Sequence, residues 1–190
     1  MLDNCDNVAV LILSQPEDKS EICINEGVRL YEKMTTVGSY GPSTIFFMAP
    51  GGLKYSDCKP GVDGFIDILK SLKERGIEKM ELLLFICTGF SDDHFSLGEE
   101  RMTADMLLEL LDPLPCRNYT IILHGKGSEG FGPKLHSPGK IVIYTAGKGD
   151  RSDPLEATAL ITGDTFTMES YLSERNRLKQ MGVSLVLHSM

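Results

Sequence analysis

Side chains able to do more than carry charge are few in this sequence, and they crowd into two loops. "CTGFSDDHF" (87–95) brings Cys87, Asp92, Asp93 and His94 together, and "ILHGKGSEGFGPKLHSPG" (122–139) brings His124, Lys126, Glu129 and His136 among five glycines. Three chemistries are open to such a set. The first is phosphate binding, because Gly125, Gly127 and Gly130 satisfy GxGxxG. That pattern works when the glycine turn opens a helix whose amides hold a pyrophosphate. Here Pro133 follows at once and the motif trails a fourth apolar run rather than a first. No Ser or Thr follows a Gly-Lys pair as a Walker loop requires. The second is metal binding by His94, His124, His136 and the carboxylates of Asp92, Asp93 and Glu129. No pair among them has the HxxxH or HExxH spacing that puts two ligands on one helical face. Solvated loop histidines, and a strand-end His124 bonded to backbone, are the simpler expectation. No metal and no cofactor is called for. The third is nucleophilic chemistry by a thiol beside an imidazole.

Composition limits the rest. The chain has 190 residues, is 42% hydrophobic and carries a formal charge of −8. It is long enough for one sizeable core and is expected to be one domain over residues 1–190. An acidic balance without basic clusters argues against nucleic acid or an anionic membrane as partner. The cysteines at 5, 23, 58, 87 and 116 are odd in number and contain no CxxC pair. Reduced thiols in a soluble, cytoplasmic protein are the expectation. The first apolar run is too short for a membrane span and lacks the basic flank of a signal peptide.

The elements that must position the two loops are legible as apolar runs. "VAVLIL" (8–13), "STIFFMA" (43–49), "ELLLFICT" (81–88), "YTIILHG" (119–125) and "KIVIYTA" (140–146) are continuous rather than alternating, as strands covered on both faces are. A sixth run, "VSLVLHS" (183–189), follows near the C-terminus. Helical spacing links them. Residues 20–37 share a face of Ile24, Val28 and Tyr31 and close at Gly38. In 62–75, Phe65, Ile68, Leu69 and Leu72 align before Gly76. In 103–111, Met106, Leu107, Leu110 and Leu111 follow a Thr103 suited to N-capping. In 165–181, Asp164 caps, and Phe166, Leu172, Leu178 and Met181 supply apolar surface up to Gly182. Strands alternating with helices predict an α/β domain with a mostly parallel sheet between helices. Residues 127–139 are expected to form a loop or a few irregular turns. In such folds ligands bind at the carboxyl ends of the strands, where "APGGLKY", "TGFSDDHF", "HGKGSEGF" and "AGKGDRSDP" meet.

The order of these motifs carries a resemblance. Strand three running into "CTGF", strand four into "LHGKG", "SPG" before strand five, "AGKGDRS" after it and then "TGDTFTMESYL" together resemble the caspase-like cysteine peptidases. Within that clan the chain is similar to the legumain branch, above all to the catalytic subunit of the GPI-anchor transamidase, over roughly residues 80–175. The resemblance implies a caspase-like three-layer α/β/α sandwich around a mostly parallel sheet of about six strands. It also implies a histidine at the tip of strand three and a cysteine at the tip of strand four. Carried over, the histidine of Thr-Gly-His falls on Phe90 and the cysteine of Asp-x-Cys on Lys126. A second register, closer to caspases proper, puts His124 in the histidine place and Gly147 in the cysteine place. It leaves strand three surplus, and both registers lose the nucleophile.

The expectation is therefore a catalytically inactive caspase-like domain, a pseudoenzyme that binds a protein or peptide. Phe90, His124, Lys126, Arg151 and Ser152 would rim its former cleft, with possible homodimerisation through the C-terminal strand. One alternative is an active peptidase or transamidase with a rearranged pair drawn from Cys87, His94 and His124. Another is a flavodoxin-like domain binding a phosphate-containing ligand at "HGKGSEG".

Overall fold

The computed structural model describes residues 6–14, 20–37, 40–50, 55–75, 80–135, 140–146, 161–162, 165–166, 168–180 and 184–189. Gly38, Gly76, Asp164 and Gly182, expected to bound helices, and Met181, expected on an apolar helix face, lie outside them.

Continuous apolar runs become strands with both faces covered. In β1 (Asp6–Ser14), Val8, Val10 and Ile12 enter one core, while Ala9, Leu11 and Leu13 enter another. In β3 (Met80–Thr88), Leu82, Leu84 and Ile86 face the first core, and Leu83, Phe85 and Cys87 the second. This period of two follows from the pleat, and it needs an apolar layer on each side. Helices α2 (Val62–Glu74) and α3 (Ala104–Leu111) cover the first face. Helices α1 (Ser20–Val37) and α5 (Met168–Gln180) contribute Leu30, Met34, Tyr171 and Leu178 to the second. The protein is an α/β structure with a mostly parallel sheet flanked by helices.

The sheet is six-stranded, in the order β10-β7-β6-β3-β1-β2. It is completed by β2 (Ile45–Met48), β6 (Cys116–His124), β7 (Lys140–Ala146) and β10 (Ser184–Ser189). Neighbours are parallel except β10, which runs antiparallel to β7 and occupies one edge. The other edge, β2, is covered by its own following segment. Phe47 N–H donates to the Asp57 carboxylate at 2.7 Å, and Asp57 N–H donates back to Phe47 O at 2.8 Å.

All four expected residues of α2 are buried. Thr103 caps α3 as expected, its Oγ1 accepting from Met106 N–H at 3.2 Å. The expected apolar faces are corrected in three places. Met106 is exposed and Ala104 takes its place inward; Leu172 is exposed, with Ser170, Tyr171 and Glu174 buried on α5. On α1 the innermost stripe is Glu26, Gly27, Leu30 and Met34, and Ile24, Val28 and Tyr31 flank it. Gly27 is there because a Cβ would come within 2.9 Å of the Leu13 methyls.

Two antiparallel hairpins add to the expected elements. β4 (His94–Leu97) pairs with β5 (Glu100–Thr103), and β8 (Ile161–Thr162) with β9 (Thr165–Phe166). The β4–β5 hairpin buries Phe95, Leu97 and Met102 in the first core. It also caps α2, where Glu100 Oε2 accepts from Val62 N–H at 2.8 Å in place of a side-chain cap from Gly61. A carboxylate at a helix N-terminus satisfies an orphan donor and complements the helix dipole. Of residues 127–139, those up to Leu135 are described, and there α4 (Ser128–Phe131) runs into a 3₁₀ turn over Gly132–Leu135. Among the described residues, no helix is long and apolar enough to cross a membrane.

Candidate functional site at the tips of β3 and β6

The two motif loops emerge side by side. β3 and β6 are adjacent and parallel, with Cys87 and His124 in register as the last pair. Beyond that pair the loops stay in contact, and Phe90 N–H donates to Lys126 O at 2.9 Å. Thr88 and Ser14 secure the tip to its neighbours. Thr88 Oγ1 lies 2.6 Å from Ser14 O and 2.9 Å from Ser96 O, and Ser14 Oγ accepts from Gly98 N–H at 2.6 Å. These bonds tie the β4–β5 hairpin to the ends of β1 and β3.

The contact explains the glycines. A Cβ on Gly125 would sit 1.8 Å from Thr88 O, on Gly127 2.1 Å from Phe90 O, and on Gly130 2.3 Å from Asp92 Oδ1. Gly125 and Gly127 also have φ of +150° and +85°, where side-chain-bearing residues are strained. Each glycine of the GxGxxG pattern thus lies against the end of β3 or the loop after it. Backbone packing at the strand tips accounts for Gly125 and Gly127, and the Asp92 side chain for Gly130, without a phosphate.

Phe90 fills the space that the fold leaves at this junction. It is 8% exposed, and its ring centroid is 5.8 Å from Phe95 and 5.6 Å from Phe131, which are themselves 5.5 Å apart edge to face. Such tilted aromatic contacts add about 0.5–1.5 kcal/mol per pair beyond area burial. Lys126, apposed through its carbonyl, is exposed. One position expected to rim a cleft is therefore core, and the other is surface.

The remaining candidates separate. His94 stands on the hairpin with Nδ1 2.7 Å from Asp93 Oδ1, and that hydrogen bond holds the Asp93 carboxyl below its usual range. Lys134 donates to Asp92 O, closing the loop from the α4 side. His124 is 1% exposed, faces the second core, stacks on Phe85 at 6.5 Å, and its Nδ1 has no hydrogen-bond partner. The expectation that backbone would satisfy it is corrected. With no donor or acceptor to offset desolvation, its pKa is pushed down to about 4 and the ring is neutral at pH 7. Cys87 is fully buried and disulfide-bonded. Reduced thiols are thus found at Cys58 and Cys116, while the same expectation fails at Cys87. Its sulfur is not a nucleophile in this state. His136, Gly147, Arg151 and Ser152 lie outside the described residues. Among the described residues no three His, Cys, Asp or Glu side chains converge as metal ligands.

The register pairing of Cys87 with His124 was not visible in the sequence, although His124 ends β6 immediately before Gly125 and Cys87 is the penultimate residue of β3, followed by Thr88 and Gly89. Their side chains share a sheet face, since both lie in the layer containing Phe85. Fold and site together define an α/β protein whose two chemistry-bearing loops meet at adjacent strand tips. No protein-family model matches the chain, and no curated protein matches it.

Proposed function

We propose that this chain is a catalytically inactive caspase-like domain of the legumain and transamidase type, acting by binding a protein or peptide. The observation that carries the reading is the apposition of Phe90 and Lys126, through a 2.9 Å hydrogen bond, at the tips of the two strands bearing the motif loops. A cysteine peptidase needs a thiolate and an imidazole at such adjacent tips, with amides for the oxyanion. An aromatic ring held in a three-phenylalanine cluster moves no proton, so this junction serves packing on one side and presents an amine on the other.

The binding surface is then centred on exposed Lys126, with Arg151 and Ser152 as further contacts and an acidic peptide as the complementary ligand. Phe90 and His124 are both buried and are not part of that surface. Edge-to-edge pairing of β10 with a second copy is a further part of the proposal, supported by the position of β10 at the sheet edge. A cytoplasmic location, without nucleic acid or membrane as partner, is part of the proposal and is supported by the acidic balance, while the disulfide at Cys87 counts against it.

A peptide-array measurement tests the reading. Acidic peptides are expected to bind without being cleaved, and K126E is expected to weaken binding at least tenfold. Peptide turnover abolished by a single Cys or His substitution would show that the reading is wrong.

A further inference from the structure

An open pocket lies away from the strand tips, on α1 and the segment after β2. Its volume is about 590 Å³, and Tyr31, Glu32, Thr35, Thr36 and Tyr55 line it. That volume is in the range small-molecule sites occupy. The aromatic wall is fixed from behind. Tyr31 and Tyr55 stack with ring centroids 4.4 Å apart and planes 21° from parallel, and Tyr31 packs on fully buried Phe47 at 6.2 Å. The paired hydrogen bonds between Asp57 and Phe47 anchor the chain just beyond Tyr55. Both tyrosines are only half-buried, so ring surface is left toward the pocket. The polar wall offers acceptors. Thr35 Oγ1 donates to Tyr31 O at 3.0 Å and to Glu32 O at 3.1 Å, and Thr36 Oγ1 donates to Glu32 O. A hydroxyl has one hydrogen, so both threonines have only lone pairs left to offer. Glu32 adds a carboxylate that forms no ion pair with a described residue. No lysine or arginine lines the pocket. Apart from the two phenols, its side chains accept protons' hydrogen bonds and donate none, and aromatic faces are themselves electron-rich.

We propose that this pocket binds a small alkylated ammonium ion, with its charge against Glu32 and its N-methyl groups against the tyrosine rings. The lining decides the ligand class by elimination. An anion would meet a carboxylate and lone pairs without a compensating cation. A hard metal ion takes six to eight oxygens, more than one carboxylate and two hydroxyls supply. A primary ammonium is strongly hydrated, and these few acceptors replace that shell poorly. A guanidinium brings five N–H donors in one plane, again more than the wall can accept. A quaternary ammonium has no N–H to satisfy, and it is drawn to aromatic faces through its methyl groups. The ring stack and its support on Phe47 exist before any ligand arrives, so little ordering is required on binding. The site is independent of the acidic-peptide surface around Lys126, because its chemistry selects the opposite charge.

The test uses the whole chain, with choline as the probe in a calorimetric titration. Two comparison compounds are titrated in the same way: methylammonium, and the uncharged isostere of choline in which carbon replaces nitrogen. Choline is expected to saturate a single site below about 10 mM. The isostere, equal in shape but without charge, is expected to bind roughly tenfold more weakly, as the combined loss of a carboxylate contact and a cation–π contact implies. Methylammonium is expected to bind more weakly than choline. E32Q, at an exposed position, is expected to weaken choline binding about fivefold, and Y55L about threefold. Failure of choline to saturate a site overturns the proposal. So does equal binding of either comparison compound, or wild-type affinity in E32Q or in a folded Y55L. If Y55L does not fold, the isostere comparison and E32Q decide, since neither disturbs the packing of the rings.

Discussion

His124 sets a quantitative expectation for acid stability. In the unfolded chain its imidazole titrates near 6.5; in the fold, burial pushes it down to about 4. Because the folded value is the lower one, the unfolded state binds more protons between these limits, and stability falls as pH falls. The contribution is complete above about pH 6.5 and is lost progressively toward about pH 4. That interval corresponds to about 3 kcal/mol, a large share of the roughly 5–15 kcal/mol by which such proteins are stable. The perturbation is His124→Leu, which fills similar space and removes the unsatisfied nitrogen. At pH 7.5 the variant is expected within about 1 kcal/mol of wild type, since loss of packing and loss of an orphaned polar atom offset each other. Urea unfolding of both proteins from pH 7.5 to 4, without reductant, gives the difference directly, with carboxylate effects common to both cancelling. The gap should open by about 3 kcal/mol in favour of the leucine variant as pH falls. A gap that stays flat across this range would refute the reasoning, because it would mean that the imidazole is solvated or bonded.

Four other outcomes are expected. Phe90→Ala should cost about 3–5 kcal/mol by urea unfolding, as deletion from a buried aromatic cluster does, whereas Lys126→Ala at the surface should stay within about 0.5 kcal/mol. Gly125→Ala places a methyl into Thr88 O and should cost more than about 4 kcal/mol or prevent folding, judged by soluble yield and circular dichroism. Thr103→Ala should cost about 1 kcal/mol through loss of the α3 cap. Burial first, and then the Asp57 charge, raise the Cys58 thiol, so its alkylation at pH 8 should be slower than that of a free cysteine and faster in D57N.

The parallel α/β organisation was legible because β1, β3 and β6 carry unbroken apolar runs, which a strand needs when helices cover both faces. Phe65, Ile68, Leu69 and Leu72 were legible for the same reason, as a helical stripe. The β4–β5 hairpin was not, because "HFSL" and "ERMT" are short, mixed in polarity and joined through Gly98 and Glu99. Its burial depends on Phe95, Leu97 and Met102 meeting a core built from distant residues. Met106 was misplaced because α3 has apolar residues on more than one face, and only tertiary packing chooses among them. At the site, the tip residues were identified but their surroundings were not. Neither the glycine fit against the tip of β3 nor the register of Cys87 with His124 is encoded locally; both arise from how two strands align whose paired tip residues are 37 positions apart.

The account turns on whether a cysteine of this protein attacks a peptide carbonyl. The direct measurement treats the non-reduced protein with a peptidyl electrophile that captures cysteine peptidase nucleophiles and maps each of the five cysteines by mass spectrometry. The account predicts no cysteine modified faster than a simple thiol reagent would modify it. Rapid, stoichiometric modification of a single cysteine, suppressed by competing peptide and lost on mutation of one histidine, would contradict it.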